Sequence, residues 1–232
     1  MDLFLARFPF HRNNKFYLEN KLTKMNHENS DYSKQEYWEE RYTQEKSYEW
    51  FNSRYEEILK GFESKMKDSD PSKLKILHLG CGNSSLGPDL YKRGFKNIVN
   101  LDYSSIVIEN MSAQYSQEMP EMTWVAMDVR DLKFDDCSFD VVIDKAVMDT
   151  FQTNKESETL DEDIDKLLLE SSRVLKKGGK FFQITWEVPH LRLSWTKMEK
   201  YNWDVEYEKI GDDDMYRIFT YTKTDPNQSN PI

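Results

Sequence analysis

Apolar positions along the chain fall into short runs separated by stretches of helical period. Lys75–Leu79, Asn97–Leu101, Met122–Met127, Ser138–Ile143 and Lys180–Trp186 read as strands. Phe139-Asp140-Val141-Val142-Ile143 is nearly continuous and β-branched, the pattern of a parallel strand covered on both faces. Between these runs, Leu86–Arg93, Ser104–Tyr115 and Leu160–Leu175 read as helices. Gly94 closes the first, Ser104 caps the second, and Lys176-Lys177 with Gly178-Gly179 stop the third, where lysines complement the helix dipole. Trp203–Ile210 and Met215–Thr222 read as a hairpin across Gly211-Asp212-Asp213-Asp214. Ahead of the first strand, Ser33 with Glu36 fits a capping box. The following helix carries Tyr37, Trp38, Arg41 and Tyr42 on one face, a second helix runs to about Met66, and Pro71 marks a break.

Strands alternating with helices predict an α/β fold: a doubly wound, seven-stranded, mostly parallel sheet. The closing hairpin predicts one antiparallel strand near the edge. Residues 1–30 read as a disordered extension ending in the polar run Asn26–Ser30, residues 31–224 as one domain including the amino-terminal helices, and 225–232 as a polar tail.

Composition narrows the function. The 232 residues carry 32 basic and 42 acidic side chains, a net charge of −10. That balance argues against a general nucleic-acid binder, which needs a basic stripe to neutralise phosphates. It suits a small-molecule site or a basic protein partner. Cys81 and Cys137 have no partners at metal-ligand spacing, and two cysteines do not make a disulfide framework, so a reducing, cytoplasmic setting is expected. No apolar run approaches the roughly 20 residues of a membrane helix.

The candidate chemistry lies at the carboxyl ends of the predicted strands, where doubly wound sheets bind ligands. The first runs into Gly80-Cys81-Gly82, which lets backbone approach a ligand closely, and the next helix is expected to aim its free N–H groups at the same spot. Position 85 is Ser, where the dinucleotide fingerprint has its third small residue. The second strand ends in Asp102, 20 residues beyond Gly82, placed to accept both hydroxyls of a ribose. The third ends in Asp128-Val129, suited to an adenine edge, and the fourth in Asp144-Lys145. A second polar anchor for the base, without a phosphate cradle, points to S-adenosylmethionine rather than a dinucleotide.

The segments Y-W-E-E-R-Y (37–42), Y-E-W-F (48–51), L-H-L-G-C-G-N-S-S-L (77–86), L-D-Y-S-S-I-V-I (101–108), M-D-V-R-D-L (127–132), S-F-D-V-V-I-D-K (138–145) and S-R-V-L-K-K-G-G-K-F (172–181) resemble the class I S-adenosylmethionine-dependent methyltransferases that modify lysines of elongation factor 1-alpha. The likeness runs from about Tyr37 to Phe182, and more weakly to Pro189-His190-Leu191-Arg192. It implies that Trp38, Tyr42 and Trp50 close over the cofactor, Gly80 lies under its methionine part, Asp102 holds the ribose with Tyr103 beside the adenine, Asp128 and Val129 hold the base, and Lys145 lines the methionine end. It also implies a protein substrate, elongation factor 1-alpha, and is compatible with a monomer. The family carries Glu at position 144 and Gly-Thr-Leu where this chain has Ala146-Val147-Met148, while Asp149 is kept. Asp144 and Asp149 are the candidate general bases. Trp186, Trp195, Tyr201 and Trp203 are candidate walls of an acceptor channel, and the acid-rich Glu156–Asp165 is a candidate attraction for a basic surface. Three other readings stay open: a small-metabolite methyltransferase, a non-catalytic cofactor-binding subunit, and a nicotinamide oxidoreductase.

Overall fold

A computed structural model describes residues 29–212 and 215–225. The expectations for residues 1–28 and 226–232, and the tip of the last hairpin, lie outside these. Helices α1 (Gln35–Gln44) and α2 (Tyr55–Met66) precede strand β1 (Lys75–Leu79). Then follow α3 (Leu86–Lys92), β2 (Asn97–Asp102), α4 (Ser105–Tyr115), β3 (Thr123–Ala126) and β4 (Phe139–Lys145). The chain continues through α5 (Val147–Phe151), α6 (Leu160–Val174), β5 (Leu175–Thr185), α7 (Pro189–Thr196), β6 (Trp203–Ile210) and β7 (Tyr216–Lys223).

The seven strands form one sheet in the order β3-β2-β1-β4-β5-β7-β6. Pairings from β3 through β5 are parallel, and β7 runs antiparallel to both neighbours, one place in from the edge. The strand order reverses between β1 and β4, the switch point at which such sheets open a crevice. Neighbouring residues in the strands serve opposite faces. Ile76, Ile98, Val141, Ile143 and Phe182 pack with Ile58, Leu59 and Phe62 of α2 and Leu86 and Leu90 of α3. Leu77, Leu79, Leu101, Val142 and Phe181 pack with Ile164, Leu167 and Leu168 of α6. A third cluster joins Trp38 and Tyr42 of α1 to Cys81 and to Val107, Ile108 and Met111 of α4, so the amino-terminal helix closes the carboxyl edge of the sheet.

Two local readings are corrected. Ser33 ends a 3₁₀ turn (Asn29–Ser33), and the cap of α1 is Lys34, with no side-chain capping bond. Lys176–Gly179 belongs to β5: Phe139 pairs with Leu175 and Val141 with Lys180, so these residues form a bulge. Gly178 has φ +74°, and a Cβ on Gly179 would lie 2.8 Å and 2.9 Å from the carbonyl oxygens of Lys176 and Asp140. Lys176 pairs with Asp140 at 2.8 Å and Lys177 with Asp225 at 2.5 Å, so neither lysine serves the helix end.

Candidate active site

The carboxyl ends of β1, β2 and β4, the Asp128 loop and the amino-terminal aromatics enclose a cavity of about 370 Å³. That is within the usual range of small-molecule sites, roughly 300–1,000 Å³. Its walls include Trp38, Tyr42, Trp50, Gly80, Cys81, Gly82, Asp102, Tyr103, Asp128, Val129 and Lys145 together, so the sequence-predicted cofactor residues converge on one space.

The glycine turn has a different local cause from the one expected. Gly80 and Gly82 take φ +50° and +51°, and their missing side chains make room for the chain itself. A Cβ on Gly80 would lie 2.4 Å from Val147 Cγ2, and one on Gly82 2.7 Å from the Tyr42 hydroxyl. The turn therefore lets α5 and α1 approach β1 closely. The Gly82 N–H donates to Asp102 Oδ2 at 2.9 Å and the Ser104 N–H to Oδ1 at 3.0 Å, which fixes the carboxylate. Burial pushes Asp102 up to about 6, against the opposing pull of those two N–H groups.

The start of α3 is already taken by an anion of the chain's own. Glu49 Oε2 accepts from the Ser85 N–H at 3.1 Å and the Ser84 hydroxyl at 2.8 Å, while Oε1 pairs with Lys145 Nζ at 2.5 Å. The expectation that this helix start faces the ligand is thus overturned, and a pyrophosphate there would have to displace Glu49. In Y-E-W-F the sequence singles out only the tryptophan, since one acid among 42 carries no mark of its own. Glu49 sits between Tyr48 and Trp50, both in the cavity wall, and so fastens this stretch of the cover to the glycine turn. Arg41 lies over the rings of Trp38, Tyr48 and Trp50 at 5.3, 4.8 and 5.6 Å and binds Glu45 through two N–H groups.

At the far end, Asp128 accepts from the Arg130 side chain on both oxygens, and Arg130 also reaches Asp163 of α6 at 2.9 Å. Burial alone would raise Asp128, but Arg130 holds it below the ordinary carboxylate range. Arg130, in M-D-V-R-D-L, is a further wall residue that sequence reasoning passed over.

The two candidate bases separate. Asp144 lies inside β4, outside the cavity wall; it accepts from the Val147 N–H at 2.7 Å and from Gln183 Nε2 at 2.9 Å, capping α5. Its carboxylate is consumed by the fold, which removes it as a candidate base. Asp149, on α5, does line the cavity. Its Oδ1 accepts from the Thr185 hydroxyl at 2.7 Å and from Arg192 Nη2, while Oδ2 has no partner among the described residues. Burial pushes Asp149 up to about 6, opposed first by Arg192. Of the four aromatics after β5, only Trp186 lines the cavity, its ring 6.2 Å from that of Trp50. Trp195, Tyr201 and Trp203 belong instead to the core on the α6 face.

A methyltransferase-domain family profile matches residues 77–183. Fold and site together define a class I S-adenosylmethionine-dependent methyltransferase. The chain is 33% identical over 205 residues to bovine "EEF1A lysine methyltransferase 4", spanning 84% of this chain and 77% of that one. It is 35% identical over 158 residues to human "eEF1A lysine and N-terminal methyltransferase", spanning 67% of this chain and 22% of that longer protein. The chain belongs to this methyltransferase family. The PH0226 protein of Pyrococcus horikoshii shares its fold, at TM-score 0.59 and 21% identity over 80% of this chain and 99% of that one.

The residues present fit the cofactor. Asp102 is buried at the wall with lone pairs left for ribose hydroxyls. Lys145 Nζ donates to Glu49 alone among the described residues, which leaves donors for a carboxylate. The cofactor supplies a sulfonium methyl group for transfer.

Proposed function

We propose that the enzyme methylates a lysine side chain of a protein, elongation factor 1-alpha. The 33% identity to a bovine protein named for that activity, over 84% of this chain, carries the reading. The cavity's chemistry supports it. A lysine amine of ordinary pKa about 10.4 must lose a proton before it attacks a methyl group, and an apolar channel favours the neutral form. Trp50, Trp186 and Phe151 supply such walls, and their ring faces also attract a methylated ammonium product. Cavity walls that fix the angle between the amine lone pair and the methyl group let orientation carry much of the rate.

On the α6 side the wall includes Ser157, Thr159 and Asp163, and the interleaved Glu156, Glu158, Asp161 and Glu162 are exposed. These acids favour approach of a basic protein surface. The free thiols of Cys81 and Cys137 are consistent with a cytoplasmic site of action. Tritium transfer from labelled S-adenosylmethionine into a cell lysate tests the reading. One labelled protein band at the size of elongation factor 1-alpha is expected, and label confined to small molecules would overturn it.

A further inference from the structure

The loop after β3 closes on itself through an ion pair in the cavity wall. The Arg130 backbone N–H donates to Asp128 Oδ1 at 2.8 Å. Arg130 Nε lies 3.0 Å from Oδ1 and 3.1 Å from Oδ2, and Nη2 donates to Oδ2 at 2.6 Å. On its other side, Nη1 donates to Asp163 Oδ1 at 2.9 Å, and the Thr159 hydroxyl holds Asp163 Oδ2 at 2.9 Å. The guanidinium also lies 5.8 Å from the centre of the Phe151 ring. All five of these residues belong to the cavity wall. The two side chains of the pair are 34% and 36% exposed, so a ligand can reach them and the pair itself adds little stability. What it does is fix a direction. An ionised carboxylate accepts at about four positions and donates at none. Three N–H groups of Arg130 occupy Asp128, so about one acceptor position is left, and the rigid fork of the guanidinium sets where it points.

We propose that Arg130 is a positioning residue for the base of the cofactor: it clamps Asp128 so that a single lone pair meets an exocyclic amine, and the site thereby accepts adenine and rejects a 6-oxo purine. The inference rests on Asp128 as the base anchor and is independent of which acceptor is methylated. Adenine carries N–H donors on its 6-amino group. A 6-oxo purine carries a carbonyl oxygen there, which a carboxylate repels, and its nearest donor is the neighbouring ring N–H. To reach that donor the carboxylate would have to turn, and the fork of Arg130 prevents the turn. Burial pushes Asp128 up, but Arg130 holds it below the ordinary carboxylate range, so it stays an acceptor with no proton to offer the carbonyl. A carboxylate freed from Arg130 can turn to either donor, and the discrimination relaxes.

The test is the ratio of two dissociation constants, measured by calorimetry on the full chain: one for S-adenosylhomocysteine and one for its 6-oxo analogue, S-inosylhomocysteine. The wild type is expected to prefer the adenine ligand by about 10- to 100-fold, the worth of one hydrogen bond to a charged group. Arg130→Met lowers that ratio by about tenfold. Arg130→Lys keeps the charge without the fork and shows the same fall. Asp163→Asn, the mildest change, leaves the Asp128 clamp in place, loosens its far tether, and lowers the ratio by less. Asp128→Asn offers a donor as well as an acceptor, takes either base, and loses the ratio altogether. A purely structural role for Arg130 would weaken both ligands alike and leave the ratio unchanged. A wild-type ratio in Arg130→Met or Arg130→Lys, with the ratio lost in Asp128→Asn, overturns the proposal. A wild-type ratio that survives in Asp128→Asn overturns it one step earlier, at Asp128 as the base anchor.

Discussion

Glu49 offers the sharpest physical test of how the cofactor cavity is held together. Its carboxylate meets the Lys145 ammonium at 2.5 Å, with side-chain exposures of 15% and 3%, and the other oxygen meets Ser84 and Ser85. Glu49→Ala leaves Lys145 charged, buried and without its counter-ion, which costs about 3–5 kcal/mol. In a domain of this size each kcal/mol shifts the unfolding midpoint by roughly 2–4 °C, so a drop of roughly 6–20 °C follows. Glu49→Ala combined with Lys145→Met removes both charges and recovers most of that loss, since a matched pair replaced by apolar groups is often close to neutral. Thermal unfolding followed by circular dichroism, for the wild type, both single variants and the double, gives the coupling directly. Cofactor affinity by calorimetry is expected to fall in every variant, because Tyr48 and Trp50 flank Glu49 in the wall. A single Glu49→Ala variant that melts within about 2 °C of the wild type, or a double variant whose losses simply add, would mean that Glu49 and Lys145 are not coupled.

Further outcomes are expected. The ionised form of Asp102 is the one that accepts two ribose hydroxyls, and burial pushes its pKa up to about 6. Cofactor affinity measured by calorimetry is therefore level above neutral pH and falls as the pH drops through 6, while Asp102→Ala abolishes binding at every pH. Gly80→Ala places a Cβ 2.4 Å from Val147 Cγ2 at φ +50°, and cofactor binding is lost. Gly178→Ala, at φ +74° with nothing within 4 Å, loses only the left-handed backbone cost of roughly 1–2 kcal/mol in unfolding experiments and binds cofactor normally.

The periodicity that defines the fold was legible because parallel strands buried on both faces leave long apolar runs, as in Phe139–Ile143. The antiparallel partner of β5 followed from a closing hairpin in place of another β-α unit. The bulge at Lys176–Gly179 was misread, because Lys-Lys-Gly-Gly is equally good chemistry for a helix end and only the register of β4 against β5 distinguishes the two. In the site, residues that protrude from strand ends in a fixed order were found, Asp102 and Lys145 among them. Residues that act through partners distant in sequence were not. Glu49 meets Lys145 across 96 positions and Arg192 meets Asp149 across 43, and no local pattern encodes such meetings. Asp144 and Asp149 looked alike as acids after a strand. The fold separates them, since Asp144 is spent on the N–H groups of α5 while Asp149 belongs to the cavity wall, its Oδ2 buried without a partner among the described residues.

Incubating purified elongation factor 1-alpha with this enzyme and S-adenosylmethionine carrying a deuterated methyl group, then mapping its peptides by mass spectrometry, tests whether a protein lysine is the acceptor. The heavy methyl is expected on a lysine side chain, and absent when Asp102→Ala replaces the wild type. Unchanged lysine peptides alongside a wild-type enzyme that binds its cofactor would contradict it.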